Sequence, residues 1–156
     1  MKQLKIGEVA PDINSQDQDG NPLRLSDYRG SKLILFFYPK ANTPGCTAEA
    51  CSLRDHYKEL LSHGFKIIGV SADNPKSQKS FIDKKELPFP LIPDTDKKVI
   101  MDYGVWGPKK FMGRSFDGII RTTFVISEDG QIEKIFDKVN TGEHAEQILK
   151  EYNLIK

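Results

Sequence analysis

The sequence predicts an α/β fold, a central mixed β-sheet flanked by helices on both faces. Three observations carry this prediction. Short strand-like apolar runs alternate with amphipathic helical stretches along the chain. The run Leu33-Ile34-Leu35-Phe36-Phe37-Tyr38, closed by Pro39, is apolar at every position, as a strand covered on both faces requires. Near the end, two further strand-like runs are joined by Ser127-Glu128-Asp129-Gly130, a hairpin signal that makes the sheet mixed.

The first thirty residues read as an irregular or hairpin region with a turn at Asp19-Gly20. Residues 33–38 form the central strand. Residues 39–45 carry two prolines and a glycine and read as a loop. A helix is expected over 45–61, with Thr43 as its N-cap and Pro44 in its first turn. Ala50, Leu53, Tyr57 and Leu60 recur at offsets of three and four and give it one apolar face. Gly64 suits its C-terminal end. A buried strand follows over 65–70, a helix over 75–84, a short strand over 89–92 and a short helix over 97–103. Residues 104–118, with Trp106, Phe111 and Arg114, read as a Gly-bearing loop. Strands over 122–126 and 131–136 form the hairpin, and a last helix spans 143–152. This order is thioredoxin-like, with a flavodoxin-like sheet as the alternative. In either case the loop after the central strand emerges at the carboxyl edge of the sheet, where α/β folds place their sites.

A length of 156 residues is expected to make one domain over 1–156. Such a chain buries roughly two-thirds of its unfolded surface and needs no disulfide to hold a core. Lys and Arg total 23 against 22 Asp and Glu. That balance provides no field to attract nucleic acid or an anionic membrane. The N-terminus lacks the apolar run of a secretory signal, and no stretch approaches the ~20 residues of a spanning helix. The expected compartment is cytoplasmic, where thiols are kept reduced. The two cysteines are therefore read as chemical rather than structural.

Cys46 falls in the first turn of its helix. Unpaired backbone N–H groups and the positive end of the helix dipole both favour a thiolate there, and the thiolate is the nucleophile. At ~100° per residue, Cys46 shares the direction of the apolar face. Cys51 lies about 140° around and ~7.5 Å up the axis, which puts the Cα atoms about 8.6 Å apart. A disulfide needs ~4.4–6.8 Å, so an intact helix forbids a Cys46–Cys51 bond and its first turns must unwind for one to form. The plainer reading of a helical cysteine is an inert buried residue. The rigid, amide-rich approach through Pro39, Thr43, Pro44 and Gly45 argues against it.

Other chemistries fit less well. Cys46, Cys51 and His56 sit five residues apart on one helix, whereas zinc ligands pair at shorter gaps and must converge, so no metal is expected. His56 lies about 15 Å along the helix from Cys46 and cannot act as its base. His56, His63 and His144 are read as solvated surface histidines. A dithiol oxidoreductase uses Cys-x-x-Cys, and the spacing here is longer.

The segment Pro39-Lys40-Ala41-Asn42-Thr43-Pro44-Gly45-Cys46-Thr47 resembles the Pro-x-x-x-Thr-x-x-Cys motif of the peroxiredoxins. Its Thr-Pro-Gly-Cys-Thr form, with a second cysteine five residues on, is similar to the bacterioferritin-comigratory protein or peroxiredoxin Q subgroup. The likeness extends through Ala10-Pro11-Asp12, Cys51-Ser52-Leu53-Arg54-Asp55, Tyr103-Gly104-Val105-Trp106-Gly107 and Gly118-Ile119-Ile120-Arg121. It implies a thioredoxin fold, no cofactor, and reduction of hydrogen peroxide or organic hydroperoxides. It implies Cys46 as the peroxidatic cysteine and Cys51 as the resolving one, joined in a redox disulfide that thioredoxin or a similar dithiol recycles. Thr43 would hydrogen-bond thiolate and peroxide, Pro39 would shield the site from water, Arg121 would stabilise the thiolate and the developing charge, and Glu49 would be a supporting polar residue that lines the substrate site with Pro39 and Gly45. The subgroup implies a monomer, with a weak dimer as the alternative. For Arg121 the residues alone allow a surface arginine at a strand start. The competing reading of the whole is a redox-sensing or chaperone-like interaction protein, in which the Cys46–Cys51 pair only changes shape and a sensor reacts about once.

Overall fold

The computed structural model describes residues 3–155. The opening hairpin joins β1 (Asn14–Gln16) to β2 (Pro22–Arg24), antiparallel, through a turn in which Asp17 Oδ1 accepts the N–H groups of Asp19 and Asn21. A short 3-10 turn, Leu25–Tyr28, leads to the central strand β3 (Lys32–Phe37). After it come α1 (Pro44–Asp55), α2 (Tyr57–Ser62), β4 (Phe65–Ser71), α3 (Pro75–Lys85), β5 (Leu91–Pro93) and α4 (Lys98–Asp102). The chain finishes with β6 (Trp106–Phe111), β7 (Arg114–Ile119), β8 (Thr122–Ile126), β9 (Ile132–Phe136) and α5 (His144–Glu151).

The main sheet has the order β5-β4-β3-β8-β9. β3 pairs parallel with β4 and antiparallel with β8, so the sheet is mixed as expected and the all-parallel flavodoxin-like alternative falls away. Side chains of β3 alternate between two apolar layers. Leu33, Leu35 and Phe37 pack with Val99, Ile100 and Tyr103 of the α4 region and with Ile13, Leu23 and Leu25. Ile34, Phe36 and Tyr38 pack with Cys46, Ala50 and Leu53 of α1, Phe81 of α3 and Ile148 of α5. Cys46 is thus part of a core layer beneath the central strand.

Four features depart from the sequence reading. The helix expected over 45–61 is broken at His56, whose ring Nδ1 lies 3.0 Å from the Ser52 carbonyl that its own N–H also meets, while Nε2 lies 3.3 Å from Glu146. The strand expected over 89–92 begins at Leu91, because Pro88 and Pro90 have no N–H to give a ladder. The expected loop over 104–118 is instead the antiparallel ribbon of β6 and β7. His144, read as solvated, is fully buried.

Candidate active site

The site is built where β3 runs into α1. The intervening loop is tied to α3 and to the segment that follows β4. Tyr38 donates its hydroxyl to Gln78 Oε1. Gln78 Nε2 donates to Ser71 Oγ at 2.8 Å and to the Ile92 carbonyl at 3.1 Å. Ser71 donates to Asp73 Oδ2 at 2.6 Å, and the same oxygen accepts the Ala41 N–H at 2.7 Å. Asn42, next along, turns the chain with φ 62. Asp73→Ala leaves the buried Ala41 N–H without a partner. It is expected to cost about 1–3 kcal/mol in denaturant unfolding and to slow the chemistry of Cys46 by roughly tenfold through misplacement of the loop.

Thr43 stands at the helix start with extended backbone, its carbonyl accepting the Thr47 N–H at 2.8 Å. Its hydroxyl does not cap α1 as expected but donates back to the Lys40 carbonyl at 2.7 Å. The first turn therefore has no side-chain cap, and its amides are available beside Cys46. Pro39 is half-buried at the head of the loop.

Cys46 is 1% exposed, and its Sγ accepts a hydrogen bond from Arg121 Nη2 at 3.4 Å. Arg121 comes from the two-residue link between β7 and β8, which carries the guanidinium under the first turn of α1. Its Nη1 donates to Glu49 Oε1 at 2.6 Å. Glu49 is three residues beyond Cys46 and so lies on the same face of α1. A methyl group on Gly45 would sit 3.2 Å from Arg121 Nη2, so the missing side chain there makes room for the guanidinium. Cys46, Glu49, Gly45 and Arg121 are therefore brought together. Cys51 is half-buried elsewhere on α1, which runs unbroken through both cysteines, and both are free thiols.

Burial raises the Glu49 carboxyl to about 7, against the pull of Arg121. Burial works against the charge on Arg121 too, but Glu49 and Cys46 outweigh it and hold the guanidinium above its ordinary value. A second cation is close by. Lys109 of β6 donates to the Ile119 carbonyl at 2.8 Å, and burial followed by repulsion from Arg121 lowers it from its usual range.

Two groups at the site escaped the sequence reading. Lys109 lies on the ribbon taken for a loop. His144 Nε2 lies 3.6 Å from Glu49 Oε2 and 2.8 Å from Thr123 Oγ1. A signal for His144 was present, since His144, Ala145, Ile148 and Leu149 form one helical stripe whose other members are apolar. Among the described residues no cluster of three His, Cys, Asp or Glu is arranged to hold a metal ion, and no helix is long and apolar enough to cross a membrane.

Residues 6–135 match the AhpC/TSA family. The peroxiredoxin Bcp of Escherichia coli K12 is 44% identical over 149 residues, covering 96% of each chain. A Haemophilus influenzae protein named as a putative peroxiredoxin bcp is 47% identical over the same length and share of both chains. Among solved structures, a cysteine-to-serine mutant of Xanthomonas campestris peroxiredoxin Q superposes with a TM-score of 0.87 at 32% identity, over 96% of this chain and 98% of that one. The peroxidoxin BcpB of Mycobacterium tuberculosis gives 0.85 at 33% identity over 99% of both.

Proposed function

The chain belongs to the AhpC/TSA family and is a thiol peroxidase of the peroxiredoxin kind with a thioredoxin-like fold, and from that premise we propose that Cys46 is its peroxidatic cysteine and Cys51 its resolving one. The observation that carries this is the contact of Arg121 with a buried Cys46 sulfur at 3.4 Å in the first turn of α1. A guanidinium meets one nucleophile at the positive end of a helix that has no side-chain cap.

The Cys46 thiolate attacks one peroxide oxygen and the O–O bond breaks. Sulfur is oxidised by two electrons to sulfenic acid, and the second oxygen leaves with the electron pair, takes up a proton and departs as alcohol or water. Arg121 faces the reacting sulfur and stabilises the charge that develops on the leaving oxygen. Thr43 Oγ1, already donating to Lys40, offers a lone pair to a peroxide O–H and so orients the substrate. Pro39 and Gly45 shape the approach. A Xanthomonas campestris bacterioferritin-comigratory protein, 31% identical with a TM-score of 0.86, has alkyl peroxide reduction activity. By that likeness organic hydroperoxides join hydrogen peroxide as substrates here.

The Cys51 thiolate then attacks the sulfenic sulfur, the S–S bond forms and hydroxide leaves as water. Because α1 holds both cysteines, its first turns unwind to let them meet. A dithiol of the thioredoxin type reduces the disulfide by exchange and is itself oxidised. A reducing cytoplasm supplies that dithiol, and one chain holds every group named, so a monomer suffices.

Cys51→Ser tests the division of labour. Stopped-flow mixing with peroxide is expected to show one fast turnover at close to the unmodified rate, while the steady rate coupled to thioredoxin and its reductase falls by at least about tenfold because the slow step becomes attack by an outside thiol. A sustained coupled rate equal to that of the unmodified protein removes Cys51 from the cycle. A protein that reacts once and cannot be recycled by any dithiol is the sensor, not the peroxidase.

A further inference from the structure

We propose that His144 is a positioning residue of this site: it presents a bare Nε2 to a protonated Glu49 Oε2, and the neutral carboxyl leaves the charge of Arg121 to the Cys46 thiolate. The proposal rests on the reading of Cys46 as the reacting sulfur and names what governs it from beneath.

Glu49 and His144 are both fully buried, and Glu49 Oε2 has no hydrogen-bond partner. An ionised carboxylate would not be left so, since a buried charge needs its lone pairs met. The tautomer of His144 follows from its neighbours. Gln147 Nε2 donates to the Lys138 carbonyl at 2.8 Å, and Gln147 Oε1 accepts the Asn140 N–H at 3.1 Å, which fixes the orientation of the amide. The same Oε1 lies 2.9 Å from His144 Nδ1, so Nδ1 must carry a hydrogen. A neutral His144 then has an unprotonated Nε2, and it is this atom that faces Glu49 Oε2 at 3.6 Å. The Thr123 hydroxyl donates to Nε2 at 2.8 Å, so it is Oε2 that is left without a partner unless it carries a proton of its own to offer.

Burial decides where that proton sits. It lowers His144 to about 4, with a smaller push from Arg121, and raises Glu49 to about 7. Between those two values a proton on the pair resides on Glu49 rather than on His144. A small turn of the carboxyl closes the 3.6 Å gap to a hydrogen bond in which Oε2–H shares the Nε2 lone pair with the Thr123 hydroxyl, which donates to it at 2.8 Å. The other groups facing the pair are Arg121 from the β7–β8 link, Cys46 on α1 and the Phe136 ring from β9, set at 87° to the imidazole, with Lys109 of β6 near Arg121. With Glu49 neutral, thiolate and guanidinium balance one for one. With Glu49 ionised, two anions compete for the one guanidinium that touches both, and the thiolate loses.

The test uses the Cys51→Ser protein, so that Cys46 alone contributes thiolate absorbance at 240 nm. His144→Asn keeps an N–H toward Gln147 and removes Nε2. It is expected to move the thiolate titration to higher pH, slowing alkylation of Cys46 by iodoacetamide about threefold to tenfold at pH 6. In the Glu49→Gln background the same change is expected to have no effect. An equal effect in both backgrounds, or none in either, overturns the proposal. Nitrogen-15 and carbon-13 NMR of the unmodified protein decides the matter if His144→Asn fails to fold. A neutral Nδ1–H imidazole at pH 7 beside a Glu49 carboxyl titrating near 7 supports it, and an Nε2–H or charged imidazole overturns it. Loss of peroxide consumption in Cys46→Ser tests the underlying reading separately, since neither NMR signal depends on turnover.

Discussion

Cys46→Ser is expected to reduce peroxide consumption to the uncatalysed background. The loss should be at least about 10⁴-fold, or about 5.4 kcal/mol at 1.36 kcal/mol per factor of ten. A serine hydroxyl fills the same core position beside Arg121, but it is not ionised there and cannot form the sulfur–oxygen product. The fold should survive, because Cys46 is a small member of a well-filled layer with Ala50, Leu53 and Phe81 and the change removes no carbon. A stopped-flow trace with excess hydrogen peroxide, alongside a circular dichroism spectrum, measures both. A folded variant that still consumes peroxide would move the chemistry to another residue.

Arg121→Ala should be the next largest effect. The guanidinium is the only side chain donating a hydrogen bond to Cys46 Sγ among the described residues, and it bridges to Oε1 of the buried Glu49 carboxyl. Removing a preorganised donor of this kind costs roughly 10²–10³ in rate, about 2.7–4 kcal/mol. The variant also leaves Glu49 buried without its cation, which pushes the carboxyl further up, so that the folded protein resists its ionisation to higher pH. A carboxyl raised in the folded state contributes stability that is full below its unfolded value and is lost as pH rises through the folded one. Arg121→Ala should therefore be destabilised more at pH 8 than at pH 5. Adding Glu49→Gln should restore the stability at pH 8 and leave the rate low. Initial rates with urea midpoints at the two pH values separate the effects. A double variant that recovers both would make Arg121 a structural residue alone.

His144 adds an opposing linkage. Its folded value, about 4, lies below the ordinary 6.5, so its contribution to stability is present above 6.5 and fades as pH falls toward 4. Glu49 runs the other way between 4.5 and about 7. Over the range they share the two largely cancel.

The parts of the site that follow from local chain chemistry were legible in the sequence. An apolar run ending at Pro39 is a buried strand whatever surrounds it, and Thr43-Pro44-Gly45-Cys46 is a helix start. Cys46 on the apolar face of α1 followed from helical periodicity, and the structure buries it. What was missed depends on distant contacts or on weak signals. The β6–β7 ribbon exposes most of its β7 residues, so no alternation of apolar and polar positions marks it. Its tight turn has positive φ at both Met112 and Gly113, the geometry of a primed hairpin turn, but methionine stands where asparagine or aspartate would have given the turn away. His144 looked solvated because the groups that bury it, Thr123, Phe136 and Glu49, come from three other elements. Thr43 looked like a capping residue by type, and only the path of the loop back to Lys40 claims its hydroxyl.

The central claim is that one sulfur takes the oxidising equivalent and passes it to a neighbour on the same helix. The most direct test is to treat the reduced protein with one equivalent of hydrogen peroxide, count free thiols and map the peptides by mass. The account predicts two thiols before and none after, with Cys46 and Cys51 joined within one chain. Two thiols remaining while the peroxide persists would contradict it.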